Sequence, residues 1–340
     1  MIEKFWGNRH VVRALEGMIA REQITQTMLF SGPEGTGKAT LARRFASLLL
    51  PHAELIERDD LSLPENVKTI ADREKWTADK RNEDPLLFAS QADFLTFPPD
   101  GPLRQITIAQ MRALKERAQF LPNQGKYRVF LIDHIDRANE QAANSLLKIL
   151  EEPPPYLILI ATAENAYDLL PTIRSRSVLF PFSPLGPEDM RAFAAARALT
   201  DAERRITLAA GSPGLALTMD LELFSKRRAA MLLLLSVAAG LQPFAKWIPV
   251  SESIGRSKNE KMDIYLKLLY ELLRDVLLLN NGRREIRNVD VKSELTAIAS
   301  KFPAERVVRV VPKIDAVLEL VRRNIQKVIA LDHLLLELSD

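Results

Sequence analysis

The sequence predicts a mostly parallel α/β domain in its first half and an all-helical region in its second half. In the first half, short apolar runs alternate with helical patterns, as in the βα units that build a parallel sheet. The runs are continuous rather than alternating in polarity, which is typical of strands buried on both faces. They are Thr27–Phe30, Asp93–Thr96, Val129–Ile132, Leu157–Ala161 and Val178–Phe180. After Pro181 the pattern becomes helical throughout.

Apolar periodicity places helices between the strands and through the second half. In the stretch 139–152, apolar residues recur at i, i+3, i+4 and i+7, and a run of three prolines then ends the helix. The predicted helices are Thr40–Leu50, Ile108–Gln119, Asn139–Glu152, Tyr265–Asn280 and Val307–Ala330. Residues 51–90 are charged and only weakly periodic, and we interpret them as a surface insertion.

Composition excludes several classes of protein. Hydrophobic residues make up 47% and charged residues 27% of the chain, the ordinary profile of a globular protein. A net charge of +3 gives no electrostatic footprint for tight nucleic-acid binding by this chain alone. Because there is no cysteine, disulfides, thiolate metal sites and thiol catalysis are excluded. The four histidines do not have the spacing of a metal motif, so we expect no metal site.

Two observations predict a cytoplasmic protein that does not enter a membrane. The most apolar stretch, Ala229–Leu241, is shorter than the roughly 20 residues that a spanning helix needs. The first ten residues have no apolar signal-peptide core.

Residues 32–38 read Gly-Pro-Glu-Gly-Thr-Gly-Lys and lie between a predicted strand and a predicted helix, which is the context of a phosphate-binding loop. Glycines let the backbone turn its N–H groups towards phosphates, Lys38 would reach the β- and γ-phosphates, and the helix N-terminus adds partial positive charge. A glycine-rich turn without a ligand is the alternative. The predicted nucleotide-binding residues are Gly32, Gly35, Thr36, Gly37, Lys38, Thr40, Asp133 and Thr162.

Two positions of this site depart from a hydrolysing enzyme. The residue after the lysine should carry a hydroxyl that binds Mg²⁺, but it is Ala39; Thr40 follows one place later, rotated by about 100° on the helix. Asp133 directly follows the predicted strand 129–132 and would position the metal. His134 comes next, where hydrolysing relatives have a glutamate that polarises water. A histidine could act as a base, although a polar residue at a strand end is the simpler interpretation.

Three further stretches carry a specific resemblance. Residues 126–136 (KYRVFLIDHID), 143–154 (ANSLLKILEEPP) and 170–177 (LPTIRSRS) resemble the bacterial clamp-loader subunits of DNA polymerase III, delta-prime and tau/gamma. The resemblance covers about residues 1–220 by motif and the rest by length and pattern. It implies an AAA+ P-loop α/β domain at 1–182, a small helical lid domain at 183–221 and a C-terminal helical collar for oligomerisation at 222–340.

The departures from the family pattern favour the delta-prime branch, which does not hydrolyse ATP. The tau/gamma subunits keep the P-loop hydroxyl, the glutamate after the aspartate and a sensor arginine, where this chain has Ala39, His134 and Gly214. The family's zinc module, with four cysteines near residues 51–90, is missing as well. The family's arginine finger maps onto Arg176, which would act in trans on ATP held by a neighbouring subunit. A surface arginine without a role is the alternative.

The resemblance also implies cofactors and partners. No cofactor is required, although the loop is compatible with weakly bound ATP or ADP. The partners are the tau/gamma and delta subunits, and through the complex the sliding clamp and primed DNA. The leucine-rich face of the predicted helix 265–280 favours the collar, because it exceeds what an isolated chain needs. A helical core within the chain itself is the alternative, and for any single leucine it is the favoured one. Two other hypotheses stay open: a tau/gamma-like ATPase that uses Thr40 and His134 in unusual roles, and a nucleotide-binding switch outside replication.

Overall fold

The computed structural model describes residues 2, 5–257, 260, 262–283, 285–322 and 326–339. The chain divides into two compact units. The first comprises Met1–Ala202 and Ala209–Leu217, and the second comprises Glu203–Leu208 and Thr218–Asp340. The predicted boundaries of a separate lid domain at 183–221 stay a prediction.

A six-stranded sheet forms the centre of the first unit. Its strands are β1 (Thr27–Ser31), β2 (Phe88–Gln91), β3 (Phe94–Phe97), β4 (Arg128–Ile132), β5 (Leu157–Ala163) and β6 (Val178–Pro181). The spatial order is β2-β3-β4-β5-β1-β6, with β2 antiparallel to β3 and every other pair parallel. The five predicted strands are confirmed to within two residues, as is the mostly parallel sheet. Strand β2 was not predicted.

Nine helices precede residue 200 in the described part of this unit. They are α1 (Arg9–Ala20), α2 (Lys38–Leu49), α3 (Ala53–Ile56), α4 (Pro64–Arg73), α5 (Ala78–Glu83), α6 (Ile108–Ala118), α7 (Glu140–Glu151), α8 (Pro171–Ser175) and α9 (Pro187–Ala196). Buried side chains of α1 and α2 pack on one face of the sheet, and those of α6 and α7 pack on the other. Each face of the sheet carries its own hydrophobic core. Alternating residues of β1 pack into the two cores, with Met28 and Phe30 on one face and Leu29 on the other. The predicted α/β fold class is therefore confirmed.

The edge strand β6 differs from the prediction that every strand is buried on both faces. Val178 is 46% exposed and Leu179 is 40% exposed, whereas every residue of β1, β3, β4 and β5 is buried. The reason is position, since β6 pairs only with β1 and lies at the edge of the sheet.

Residues 51–90, predicted as a surface insertion, form α3, α4, α5 and β2. Their apolar periodicity is weak because most of their side chains face solvent and few anchors are buried. One anchor is ionic: Arg73, on α4, donates to the buried carboxylate of Asp100 at 2.7 Å. Because both side chains of this ion pair are buried, it anchors residues 51–90 to the loop that follows β3.

The remaining helices are α10 (Ala202–Ala209), α11 (Pro213–Thr218), α12 (Leu221–Ala238), α13 (Ile248–Arg256), α14 (Met262–Asn280), α15 (Lys292–Ala299), α16 (Ala304–Arg322) and α17 (Lys327–Ser339). The predicted helix 265–280 is confirmed as part of α14. The predicted helix 307–330 is wrong as one element: residues 323–325 lie outside the described residues, and α16 and α17 flank them. Arg306, near the start of α16, donates to the carbonyl of Leu338, near the end of α17, at 2.6 Å. The two helices therefore run antiparallel.

The leucines of α14 do not form the surface that was expected to support a collar. Helices α12, α15 and α16 all pack against α14. The five residues Leu266, Leu268, Leu269, Leu272 and Leu273 are consequently no more than 6% exposed and lie in the core of the second unit. The inference of an oligomerisation surface from these residues was wrong, because helices of the same chain cover them. Within the described ranges, no helix is both long enough and apolar enough to cross a membrane.

Candidate functional site

The phosphate-loop motif occupies the turn between β1 and α2. Gly35 and Gly37 have φ values of 72° and 91°, in the left-handed region that favours glycine. Gly37 is also the residue that precedes the first turn of α2, so the loop leads directly into a helix N-terminus. Thr36 is buried and donates from its hydroxyl to the carbonyl of Pro33 at 2.8 Å. The local backbone therefore has the glycine conformations and the helix start that the sequence predicts for this loop.

Lys38 is turned into its own loop. Its Nζ donates to the carbonyl oxygens of Gly32 at 2.6 Å and Pro33 at 2.8 Å, and the residue is only 6% exposed. Burial lowers the pKa of the Lys38 ammonium, while the nearby carboxylates of Asp133 and Glu164 act in the opposite direction. The charge that would bind a phosphate is held by loop carbonyls in this conformation.

The segment that begins α11 rests on the same loop. The amide of Gly214 donates to the carbonyl of Gly35 at 2.8 Å, and the hydroxyl of Ser212 donates to the carbonyl of Glu34 at 2.9 Å. A Cβ at Gly214 would lie 2.9 Å from the Cα of Gly35, and a Cβ at Gly35 would lie 2.2 Å from the hydroxyl oxygen of Ser212. Only a residue without a side chain allows this approach. From the sequence, Gly214 was interpreted as the site of a lost sensor arginine, and its contact with Gly35 was not predicted.

Asp133 and Thr162 meet at the carboxyl ends of β4 and β5. The hydroxyl of Thr162 donates to Oδ1 of Asp133 at 2.6 Å and accepts from the amide of His134 at 2.9 Å. Both β4 and β5 belong to the parallel part of the sheet, so their carboxyl ends lie side by side. Lys38 is within electrostatic reach of Asp133. The structure thus brings together three of the predicted residues from distant parts of the sequence.

The two positions that replace the hydrolytic groups have other surroundings. Ala39 packs against the hydrophobic core under α2, and Thr40 is half-buried on the same helix. His134 has a φ of 55°, in the left-handed region, and its imidazole is partly buried. Neither side chain supplies what its position supplies in a hydrolysing enzyme: Ala39 has no hydroxyl and His134 has no carboxylate.

Arg176 follows α8 and is bound to its own chain. Its Nη2 forms an ion pair with Oε1 of Glu151, on α7, at 2.5 Å, and its Nη1 donates to the carbonyl of Thr172 at 3.0 Å. The side chain is 33% exposed and Glu151 is 48% exposed. The sequence did not reveal this pairing, because β5 and α8 lie between Glu151 and Arg176 along the chain. Such a contact fixes the direction of the guanidinium while leaving part of it accessible.

Comparison with known proteins gives this geometry a family context. The family described as "DNA polymerase III, delta subunit" matches residues 7–186. The DNA polymerase III subunit gamma/tau of Mycobacterium tuberculosis (strain ATCC 25618 / H37Rv) is 32% identical over 189 residues, which are 56% of this chain and 30% of that protein. The DNA polymerase III subunit delta' of Bacillus subtilis (strain 168) is 30% identical over 178 residues, which are 52% of this chain and 48% of that protein.

Among solved structures, a gamma subunit-related protein from Thermotoga maritima aligns over 96% of this chain and 98% of its own, with 18% identity and a TM-score of 0.43. In each of the two curated relatives, the match spans less than half of the relative's length.

Proposed function

Because this chain belongs to the DNA polymerase III delta subunit family, we propose that it is the delta-prime subunit of a clamp loader and does not itself hydrolyse ATP. It would be the stator, a stationary subunit of the complex, while a neighbouring subunit hydrolyses ATP. Its partners would be the gamma/tau and delta subunits, and through the complex it would act on the sliding clamp and primed DNA. A protein of this kind acts where the chromosome is replicated, so we propose a cytoplasmic location.

The observation that carries this proposal is the contact between the phosphate loop and the start of α11. Gly214 stands where the tau/gamma subunits have a sensor arginine, and its backbone lies against Gly35. Lys38 is engaged with loop carbonyls in the same conformation. Nucleotide would have to displace both sets of contacts, and Ala39 offers no hydroxyl to the metal. These features support a site that binds ATP or ADP weakly and requires neither.

Arg176 is the residue that we propose to act in chemistry, as an arginine finger in trans. A guanidinium is planar and permanently charged, which suits it to stabilise charge that develops on a γ-phosphate. The pair with Glu151 holds the group in one orientation and leaves a third of the side chain accessible. Glu151 would therefore be a positioning residue that presents Arg176 to the neighbouring subunit.

Two observations favour a second candidate, an ATP-hydrolysing subunit of the gamma/tau type. The chain is 32% identical to a gamma/tau subunit, and Asp133 keeps its hydrogen bond with Thr162. Steady-state ATP turnover by the purified chain separates the two candidates. We expect no turnover above background, and the same value for the variant Lys38→Ala. Turnover that is lost in Lys38→Ala would establish the ATPase instead.

A further inference from the structure

Three side chains with metal-binding groups meet near Lys38, and none of them belongs to the predicted nucleotide-binding residues. They are His134, Asp136 and Glu164, and one ligand atom from each lies within 4.8 Å of the other two. His134 and Asp136 follow β4, and Glu164 follows the neighbouring parallel strand β5. The cluster is not evident from the sequence, because Glu164 lies thirty residues after His134.

Two of the three groups have buried atoms that lack a partner. Nδ1 of His134 and Oδ1 of Asp136 are both inaccessible to solvent, and neither has a hydrogen-bond partner among the residues that the structure describes. The two atoms are 4.0 Å apart, too far for a hydrogen bond. A buried polar atom without a partner costs roughly 1–3 kcal/mol. Two such atoms, 4.0 Å apart, indicate a partner that is not part of the described chain.

The local charge also favours a cation. Asp133, Asp136 and Glu164 all lie within electrostatic reach of Lys38, whose ammonium is the cation at their centre. Arg137 adds a second positive charge, 3.9 Å from Glu164, in a pair that is about one-third exposed and therefore weak. Three carboxylates therefore lie near one buried ammonium, and a concentration of carboxylates of this kind attracts a further cation.

We propose that His134, Asp136 and Glu164 bind one divalent transition-metal ion, of which Zn²⁺ is the best match. One imidazole nitrogen with two carboxylate oxygens suits Zn²⁺, whereas Mg²⁺ prefers oxygen ligands alone. Tetrahedral ligands at about 2.1 Å from zinc are about 3.4 Å from one another. The ligand atoms of the three residues lie within 4.8 Å of one another, so zinc binding requires the side chains to move together by up to about 1.4 Å. The fourth ligand would be water.

This site differs from the magnesium site of a nucleotide enzyme in its ligands and in its independence from nucleotide. The histidine that removes the hydrolytic glutamate is here itself a metal ligand. The ion would link the ends of β4 and β5 through side chains, and so stabilise the fold without any reaction. This inference does not require the proposed clamp-loader function. Its test measures metal binding and the effect of the metal on stability, and it does not depend on ATPase activity or clamp loading.

Calorimetric titration of the untagged, full-length chain with Zn²⁺, in buffer free of nucleotide, tests the proposal. We expect one ion per chain and a thermal unfolding midpoint that rises when Zn²⁺ is added. Replacing Zn²⁺ with Co²⁺ should give visible absorption bands from the bound ion. His134→Ala and Glu164→Gln should each weaken binding by at least tenfold and remove the Co²⁺ bands. Glu164 is 34% exposed, so the glutamine variant keeps the test valid if the alanine variant does not fold.

A matched control is available on the surface. His52 is exposed and its Nδ1 lies 3.6 Å from Glu54, a geometry that could hold an adventitious ion. His52→Ala should leave the affinity, the stoichiometry and the Co²⁺ bands unchanged. The proposal is overturned if Zn²⁺ does not bind, if binding survives in both His134→Ala and Glu164→Gln, or if it is lost in His52→Ala.

Discussion

The amide of Gly214 donates a 2.8 Å hydrogen bond to the carbonyl of Gly35, so the phosphate loop and the start of α11 touch through their backbones. Two glycines meet at this point, and neither position has room for a Cβ. An arginine at 214 would push the segments apart. Glycine at position 214 therefore has two consequences. The sensor arginine is absent, and the start of α11 can lie against the phosphate loop.

Gly214→Ala should destabilise the protein. Alanine favours a helix over glycine by up to about 1 kcal/mol, so a net loss would identify the clash with Gly35. We expect the free energy of unfolding to fall by about 1–3 kcal/mol, the usual cost of overpacking. Urea denaturation followed by circular dichroism measures it. Gly186→Ala is the matched control, because a Cβ there would meet nothing within 4 Å. Equal stabilities for the two variants would show that the contact is not tight.

Nucleotide binding should be weak and nearly independent of Mg²⁺. The glycines and Lys38 can still surround phosphates, but position 39 lacks the hydroxyl that would link the metal to the loop. Titration of the chain with ADP, first with EDTA and then with Mg²⁺, measures the difference. A large gain in affinity with Mg²⁺ would mean that another group, such as Thr40, has taken over as the ligand.

Replacing Arg176 should cost the isolated chain little stability. The ion pair with Glu151 is partly exposed on both sides, and pairs of this kind are worth about 0–1 kcal/mol. Arg176→Ala should therefore lower the free energy of unfolding by less than about 1 kcal/mol. Arg73→Ala provides the contrast: it leaves the buried carboxylate of Asp100 unpaired, which typically costs about 3–5 kcal/mol. A large loss of unfolding free energy in Arg176→Ala would show that Arg176 has a structural role.

The sequence allowed the strands and the phosphate loop to be predicted because both are local patterns. Five short apolar runs, each bounded by loops, predicted the five strands, although β6 is partly exposed at the edge of the sheet. The glycine spacing before Lys38 indicates one turn between β1 and α2. The contact between Gly35 and Gly214 could not be predicted, because it joins segments that lie far apart in the sequence. The same reason explains why the pair of Arg176 with Glu151 was missed.

The leucines of α14 show a different limit. A leucine stripe indicates that a helix face is buried but not whether its own chain or a partner covers it. In the structure α12, α15 and α16 cover it, so periodicity alone pointed to the wrong partner. His134 shows a third limit. The sequence shows that it replaces a glutamate, but its proximity to Asp136 and Glu164 depends on the turn after β4 and could not be predicted.

The central claim, that Arg176 serves the ATP site of a neighbouring subunit, is tested most directly in a complex reconstituted from this chain with the gamma/tau and delta subunits of the same organism. The measurement is ATP turnover and clamp loading with Arg176→Ala against Arg174→Ala, whose guanidinium lies over the ring of Tyr167 at 4.8 Å. Fingers in trans contribute roughly 10³–10⁵ in rate at one site, so with several sites present total turnover should fall partly and clamp loading more strongly. Arg176→Lys should restore activity incompletely, since it keeps the charge but loses the planar fork. Arg174→Ala should match the wild type. Clamp loading at the wild-type rate by Arg176→Ala would contradict the account.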